Sequence, residues 1–176
     1  MKRALLFLSV FLTLLASPMV SAEAQSLTEE HIASIRVGCT NALRGILQVQ
    51  KSEAATRVNR GREYESLLRL TAAFNSRIVL NKLDAPALTS ASARMQTNFS
   101  EFQEHYLDYA DKIDATLDIN CKEAPVTFYD SLTRAREARA LVATDVREMT
   151  ALLDEYQKGF DELKAQLVQA EAGGVR

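Results

Sequence analysis

The chain has 176 residues, of which 47% are hydrophobic and 25% charged, and a formal net charge of −2 at pH 7. That length suits one domain with its own core, and the ordinary apolar content argues against wholesale disorder. A mildly acidic balance gives no global attraction to nucleic acid or to an anionic membrane surface, so neither partner is expected.

The N-terminus reads as an export signal. Lys2 and Arg3 form a charged n-region and Ala4 to Leu15 an apolar run. Pro18 breaks that run, and Val20-Ser21-Ala22 offers small residues at a cleavage point. Residues 1–22 are therefore expected to leave as a signal peptide, with 23–176 a single helical domain. The alternative is a retained anchor, because Ala4 to Ala22 could just cross a bilayer. Ser17, Pro18 and Ser21 weigh against it. No second apolar stretch reaches that length, so no membrane span is expected after cleavage. Cleavage takes away two basic residues and leaves 19 basic against 23 acidic, a net charge of −4. The expected location is periplasmic, cell-surface or extracellular.

Ser26-Leu27-Thr28-Glu29 matches a capping box, with Ser26 as N-cap and Glu29 three residues on. From Ile32 an apolar stripe steps by three and four through Ile35, Cys39, Ala42 and Ile46 to Val49. It thins between Lys51 and Arg62 and resumes from Tyr64 to Leu83. Asn59-Arg60-Gly61 either ends a helix, with glycine as its C-cap, or is carried through a long one at a cost of about 1 kcal/mol. Asp84-Ala85-Pro86 is the first clear turn. A second helix is expected over 87–120, with Met95, Phe99, Phe102, Tyr106, Tyr109 and Ile113 as its seam. After a turn at 121–125, a third helix over 126–170 carries a heptad seam from Phe128 through Ala135, Val142, Met149, Tyr156 and Leu163 to Ala170. Its intervening positions are Leu132, Arg139, Val146, Leu153, Phe160 and Leu167, and only Arg139 breaks the apolar pattern.

Cys39 and Cys121 are the only cysteines. In an exported chain such a pair reads as a disulfide, with two free thiols as the alternative for a reducing niche. The bond would also choose the topology. If 26–82 is one helix, folding about Ala85 sets Cys121 level with residues 47–49, and the loop around Cys121 can reach Cys39. An up-down four-helix arrangement, broken at Gly61, holds the two cysteines far apart, whereas a disulfide needs Cα atoms within about 7 Å. The expected fold is all-α: an elongated antiparallel three-helix bundle with coiled-coil character, four helices being the alternative.

The stretches Val58-Asn59-Arg60-Gly61-Arg62-Glu63-Tyr64-Glu65 and Ala73-Phe74-Asn75-Ser76-Arg77, followed by Cys121 and Pro125-Val126-Thr127-Phe128-Tyr129, resemble a family of uncharacterised exported bacterial all-helical proteins. The likeness spans about residues 32–165. It implies export and a helical fold, and it supplies no catalytic residue.

Few residues point to chemistry. Glu101 and His105 are four apart, and His31 has no comparable partner, so the Glu-x-x-His pairs of a di-iron bundle are missing. His105 is expected beside the seam as an exposed polar residue. Haem, zinc-protease, hydrolase and phosphate-loop motifs are absent from the sequence. No enzyme activity, cofactor or metal is expected. Asn98-Phe99-Ser100 matches a glycosylation sequon, read as coincidence. The polar middle says more. A three-helix arrangement sets Arg57, Arg60 and Arg62 opposite Asp108, Asp111 and Asp114, with Arg136 and Arg139 at the same level. The plain reading is interhelical ion pairs, each worth under about 1 kcal/mol if exposed, with Arg139 as a register-setting polar residue in the seam. The sharper reading is an anion site lined by Tyr106 and Tyr109. The function expected is a non-enzymatic helical interaction or structural module of the cell envelope, meeting a protein partner or a second copy of itself. An extracytoplasmic small-ligand binder is the alternative.

Overall fold

The structure, a computed structural model, describes residues 27–173, so the expected signal peptide and the Ser26 cap lie outside the described residues. Three helices, α1 (Glu29–Leu80), α2 (Pro86–Leu117) and α3 (Pro125–Gly173), make an antiparallel bundle joined by two short turns. No strand occurs among the described residues. The three-helix arrangement holds and the four-helix alternative falls. Gly61 sits inside a continuous α1, and a β-carbon there would meet nothing. One interior glycine costs about 1 kcal/mol, too little to break a helix docked on both sides of it through Ile46 and Tyr64.

Local chemistry sets the helix ends. Thr28 caps α1: its backbone is extended and its hydroxyl accepts the His31 N–H at 3.3 Å. Glu29 and Glu30 add negative charge where the helix dipole is positive. At the far end Lys82 takes φ 53°. The Lys82 N–H returns to the Val79 carbonyl at 3.1 Å and the Leu83 N–H to Ile78 at 3.0 Å. This pair of bonds is a Schellman closure, and Leu83 packs back beside Ile78 as such closures favour. Pro86 and Pro125 open α2 and α3, where a missing N–H costs nothing.

The packing is unequal. α2 lies against α3 along its length, whereas α1 rests on α2 and scarcely touches α3. On α3 the buried positions include Phe128, Ala135, Ala138, Asp145, Met149 and Leu152. At Gly159 an added β-carbon would lie 3.2 Å from Leu88. The seam expected at Arg139, Val146, Leu153 and Phe160 is thus corrected by one position, to Ala138, Asp145, Leu152 and Gly159. Both frames step by three and four, so periodicity cannot separate them. The small residues Ala138 and Gly159 decide, because they let the two helices approach. The displaced Val146 and Leu153 pack on the edge of the core, while Phe160 stays 37% exposed.

Cys39 and Cys121 are bonded, with Cα atoms 5.6 Å apart across 82 residues of sequence. Closing such a loop is worth about 4.5 kcal/mol in the chain-entropy account. At the opposite end Ile78, Leu88 and Leu163 form a second small cluster. Leu163 is therefore covered, at 5% exposure, while Leu167 and Val168 beyond it are open.

Candidate functional site

α1 is buried at Cys39 and Ile46 near one end and at Tyr64, Thr71 and Ile78 toward the other. Between them the positions that continue the same stripe are Gln50, Glu53, Arg57 and Arg60, all half-buried. The helix persists through the thinned stretch, but its seam there is polar. Polar side chains cannot close down on α2 as leucines would, and the gap between α1 and α3 stays open.

That gap is a groove floored by α2. Its larger compartment has a volume of about 640 Å³. Phe102 and Tyr106 form its floor and Val142 and Val146 its α3 wall. Arg57, Arg60, Arg136 and Arg139 surround it, with Glu53 as the one carboxylate. Toward the disulfide a second compartment of about 300 Å³ is lined by Ile46, Tyr109, Ile113 and Leu132. Arg136 and Arg139 border both. Arg139 reaches from α3 to α1, its Nε donating to Glu53 Oε1 at 2.7 Å and its Nη2 at 2.5 Å from the same oxygen. This pair is a rung between the two compartments.

The other arginines are differently held. The Arg57 guanidinium lies 5.1 Å from the Tyr106 ring centre, a cation–π contact. Arg60 donates to the Tyr64 hydroxyl at 3.4 Å. Among the described residues, none of Arg57, Arg60 and Arg136 makes an ion pair. Arg62 is exposed and borders a smaller recess beside Glu65 on the α1–α2 side.

Of the acids expected from α2, only Asp114 borders the polar stretch of α1, in a recess on the α1–α2 side that Gln50, Glu53 and Arg57 also line. Asp108 pairs with Lys112 on its own helix, Asp111 is exposed, and Asp114 accepts from Gln50. The level was right and the rotation was not. At about 100° per residue, Asp108 and Asp111 lie roughly 140–200° round the helix from Tyr106. Arg139 does reach a carboxylate, but it is Glu53 on α1, and its side chain is 60% exposed rather than seated in the seam.

Electrostatics follow the geometry. Burial first, and the Glu53 charge second, push the Tyr106 hydroxyl above the ordinary tyrosine value, against a smaller opposing pull from Arg57. Tyr109 is driven up further, by burial and by the neighbouring Glu53. Its hydroxyl lies near that carboxylate in a geometry that falls short of a hydrogen bond. The bond to Glu53 holds Arg139 above its usual value. These tyrosines stay neutral at any physiological pH and present ring faces and hydroxyls, not charge.

A second polar feature threads the α2–α3 seam. His105 Nδ1 lies 2.8 Å from Asp145 Oδ2. Asp145 is 4% exposed, and the expectation of a freely exposed His105 is corrected: its side chain is partly covered and paired. Thr116 and Ser131 share a hydrogen bond at 2.8 Å. Asn98 is 2% exposed with neither amide atom partnered among the described residues, so on the folded chain it is closed to glycosylation. The described residues hold no group of three or more His, Cys, Asp or Glu side chains placed to share a metal ion.

Glu53 and Asp145 escaped the sequence reading. The signal for Glu53 was available, since it continues the stripe from Ile46 and Gln50 to Arg57. Asp145 was hidden by the ambiguity between two adjacent heptad frames. Compared with protein-family models, curated proteins and solved structures, the chain matches none of them.

Proposed function

We propose that this chain is a non-enzymatic helical binding module working outside the cytoplasm, with the α1–α3 groove as its recognition surface. One observation carries this reading: the seam of α1 is interrupted in its middle by arginines that face an apolar, aromatic floor without carboxylate partners. Leucines there would close the bundle and stabilise it. Half-burying guanidinium groups without a carboxylate partner opposes stability, and a local departure from good packing of that kind is characteristic of functional sites. Export is supported by the cysteine bond, which reducing compartments rarely preserve, and by the basic-apolar pattern of residues 1–22. No helix among the described residues is long and apolar enough to cross a membrane.

A photo-crosslinking side chain at Thr56, inside the groove, tests the reading against one at Val37, which is 89% exposed on the outer face of α1. In the native envelope, Thr56 should yield a discrete adduct and Val37 none. Equal labelling from both would refute the groove as the recognition surface. A second reading, self-association through the end of α3, has Leu167 and Val168 in its favour, at 41% and 57% exposure. Light scattering on the mature chain should then show a dimer that Val168→Glu dissolves.

A further inference from the structure

We infer that the larger compartment of the groove takes a small anionic amphiphile, a carboxylate or phosphate head group on an aliphatic or ring-shaped body. The inference rests on the binding reading above and names its ligand. Arg57, Arg60 and Arg136 border one cavity, and none makes an ion pair among the described residues. Guanidinium groups are planar forks matched to the paired oxygens of carboxylate and phosphate. The one carboxylate at the site, Glu53, is already engaged by Arg139 at 2.7 Å. That leaves the other three without a carboxylate partner in the cavity. An anion supplies what the fold omits.

The rest of the cavity sets the body of the ligand. Phe102, Val142, Ala143 and Val146 are apolar, and the Tyr106 ring is already capped on one face by Arg57. An inorganic ion would leave that surface wet. The volume, about 640 Å³, falls within the range of roughly 300–1,000 Å³ that small organic ligands occupy.

The Glu53–Arg139 rung decides between a small molecule and a docked helix. A helix laid along the groove would need the two compartments to be continuous. The rung crosses between them from α3 to α1, and a helix could enter only by breaking a charge-assisted bond. A ligand confined to the larger compartment leaves it intact.

Calorimetric titration of the oxidised mature chain with decanoate and decyl phosphate, each below its micelle concentration, tests this. Decanol, inorganic phosphate and an acidic amphipathic peptide serve as comparisons. One saturable site is expected for the two anionic amphiphiles, with decanol and inorganic phosphate each at least tenfold weaker. Arg60→Gln/Arg136→Gln should lose at least tenfold in affinity, while Arg134→Gln, an exposed residue that does not line the cavity, should match the parent. If the double variant fails to fold by circular dichroism, Arg136→Gln alone carries the comparison, since that residue is exposed. Equal binding of decanol overturns the head group, and equal binding of inorganic phosphate overturns the apolar body. Unchanged affinity in the arginine variants overturns the site. Binding of the peptide with neither amphiphile bound overturns the ligand class. If no probe binds while Thr56 still crosslinks a native component, the ligand class is wrong and the groove survives. If Thr56 yields no adduct either, both readings go.

Discussion

His105 and Asp145 sit in the tightest part of the molecule, between α2 and α3, and they make a sharp test of how this seam is held. Asp145 is 4% exposed, and its one hydrogen-bond partner among the described residues is the His105 ring at 2.8 Å. His105→Leu leaves the carboxylate buried and alone. Stranding a buried acceptor without its donor costs about 1–3 kcal/mol, and more for a charged group. The His105 side chain is 32% exposed, so water can partly follow into the gap and the expected loss is about 3 kcal/mol. Asp145→Leu is milder, because the imidazole it strands keeps solvent on one side, and about 1 kcal/mol is expected. The double change to leucine fills the layer with apolar volume and should return stability to the parent value or above it by about 1–2 kcal/mol. The coupling between the sites is then larger than any of the exposed ion pairs among the described residues could give. Urea unfolding followed at 222 nm, with the disulfide oxidised and the m-value compared across the set, measures all four corners of the cycle. A loss under about 1 kcal/mol for His105→Leu would mean that Asp145 is hydrated in solution. A double variant as unstable as the single one would mean that leucine cannot pack in this layer. Either result would refute the reasoning.

Reduction of Cys39–Cys121 should lower stability by about 4.5 kcal/mol, read from the urea midpoint with and without reductant, and non-reduced digests should yield one peptide joining the two cysteines. Asn98→Leu removes an amide with no partner among the described residues and should raise stability by about 1–2 kcal/mol; a loss would reveal a partner for the amide in solution. Tyr106, Tyr109 and Tyr156 all have hydroxyls raised above the ordinary 10.0, chiefly by burial. The folded state therefore favours their protonated form, so their contribution is fully present below pH 10 and is lost as pH climbs above it. Absorbance titration at 295 nm should show three of the five tyrosines ionising late or only on unfolding, and ionisation of all five together near the ordinary value would contradict the packing.

The fold was legible because a few strong signals agreed. Stripes at helical spacing, two prolines at turn positions and one cysteine pair left little choice but three long helices. The cysteines did the discriminating work at Gly61, where propensity alone allowed either outcome. Rotation about the helix axes was harder to read. A stripe of large apolar residues marks a face only to within one position, and on α3 the true face is marked by Ala138 and Gly159, whose small size carries no weight in an apolar count. The same error hid Asp145 and overrated Arg139. The polar middle was located correctly along the bundle, since level depends only on rise per residue and turn position. Which charges meet there depends on rotation as well, so Asp108 and Asp111 were placed in a groove whose one carboxylate is Glu53.

The cysteine bond has a mechanical consequence. α1 begins at the disulfide end of the bundle and α3 finishes at the other, so tension applied to the two termini enters at opposite ends of a rod. The load then passes from the first turns of α1 through the sulfur atoms into α3. α2 and most of α1, including Glu53, Arg57 and Arg60, lie off that path in a covalently closed ring. Stretching the oxidised chain should leave those 82 residues slack, and reduction should release about 290 Å of extra contour at roughly 3.5 Å per residue. In the oxidised chain the load would thus reach the groove through its α3 wall alone, while the α1 and α2 residues that line it stay off the path.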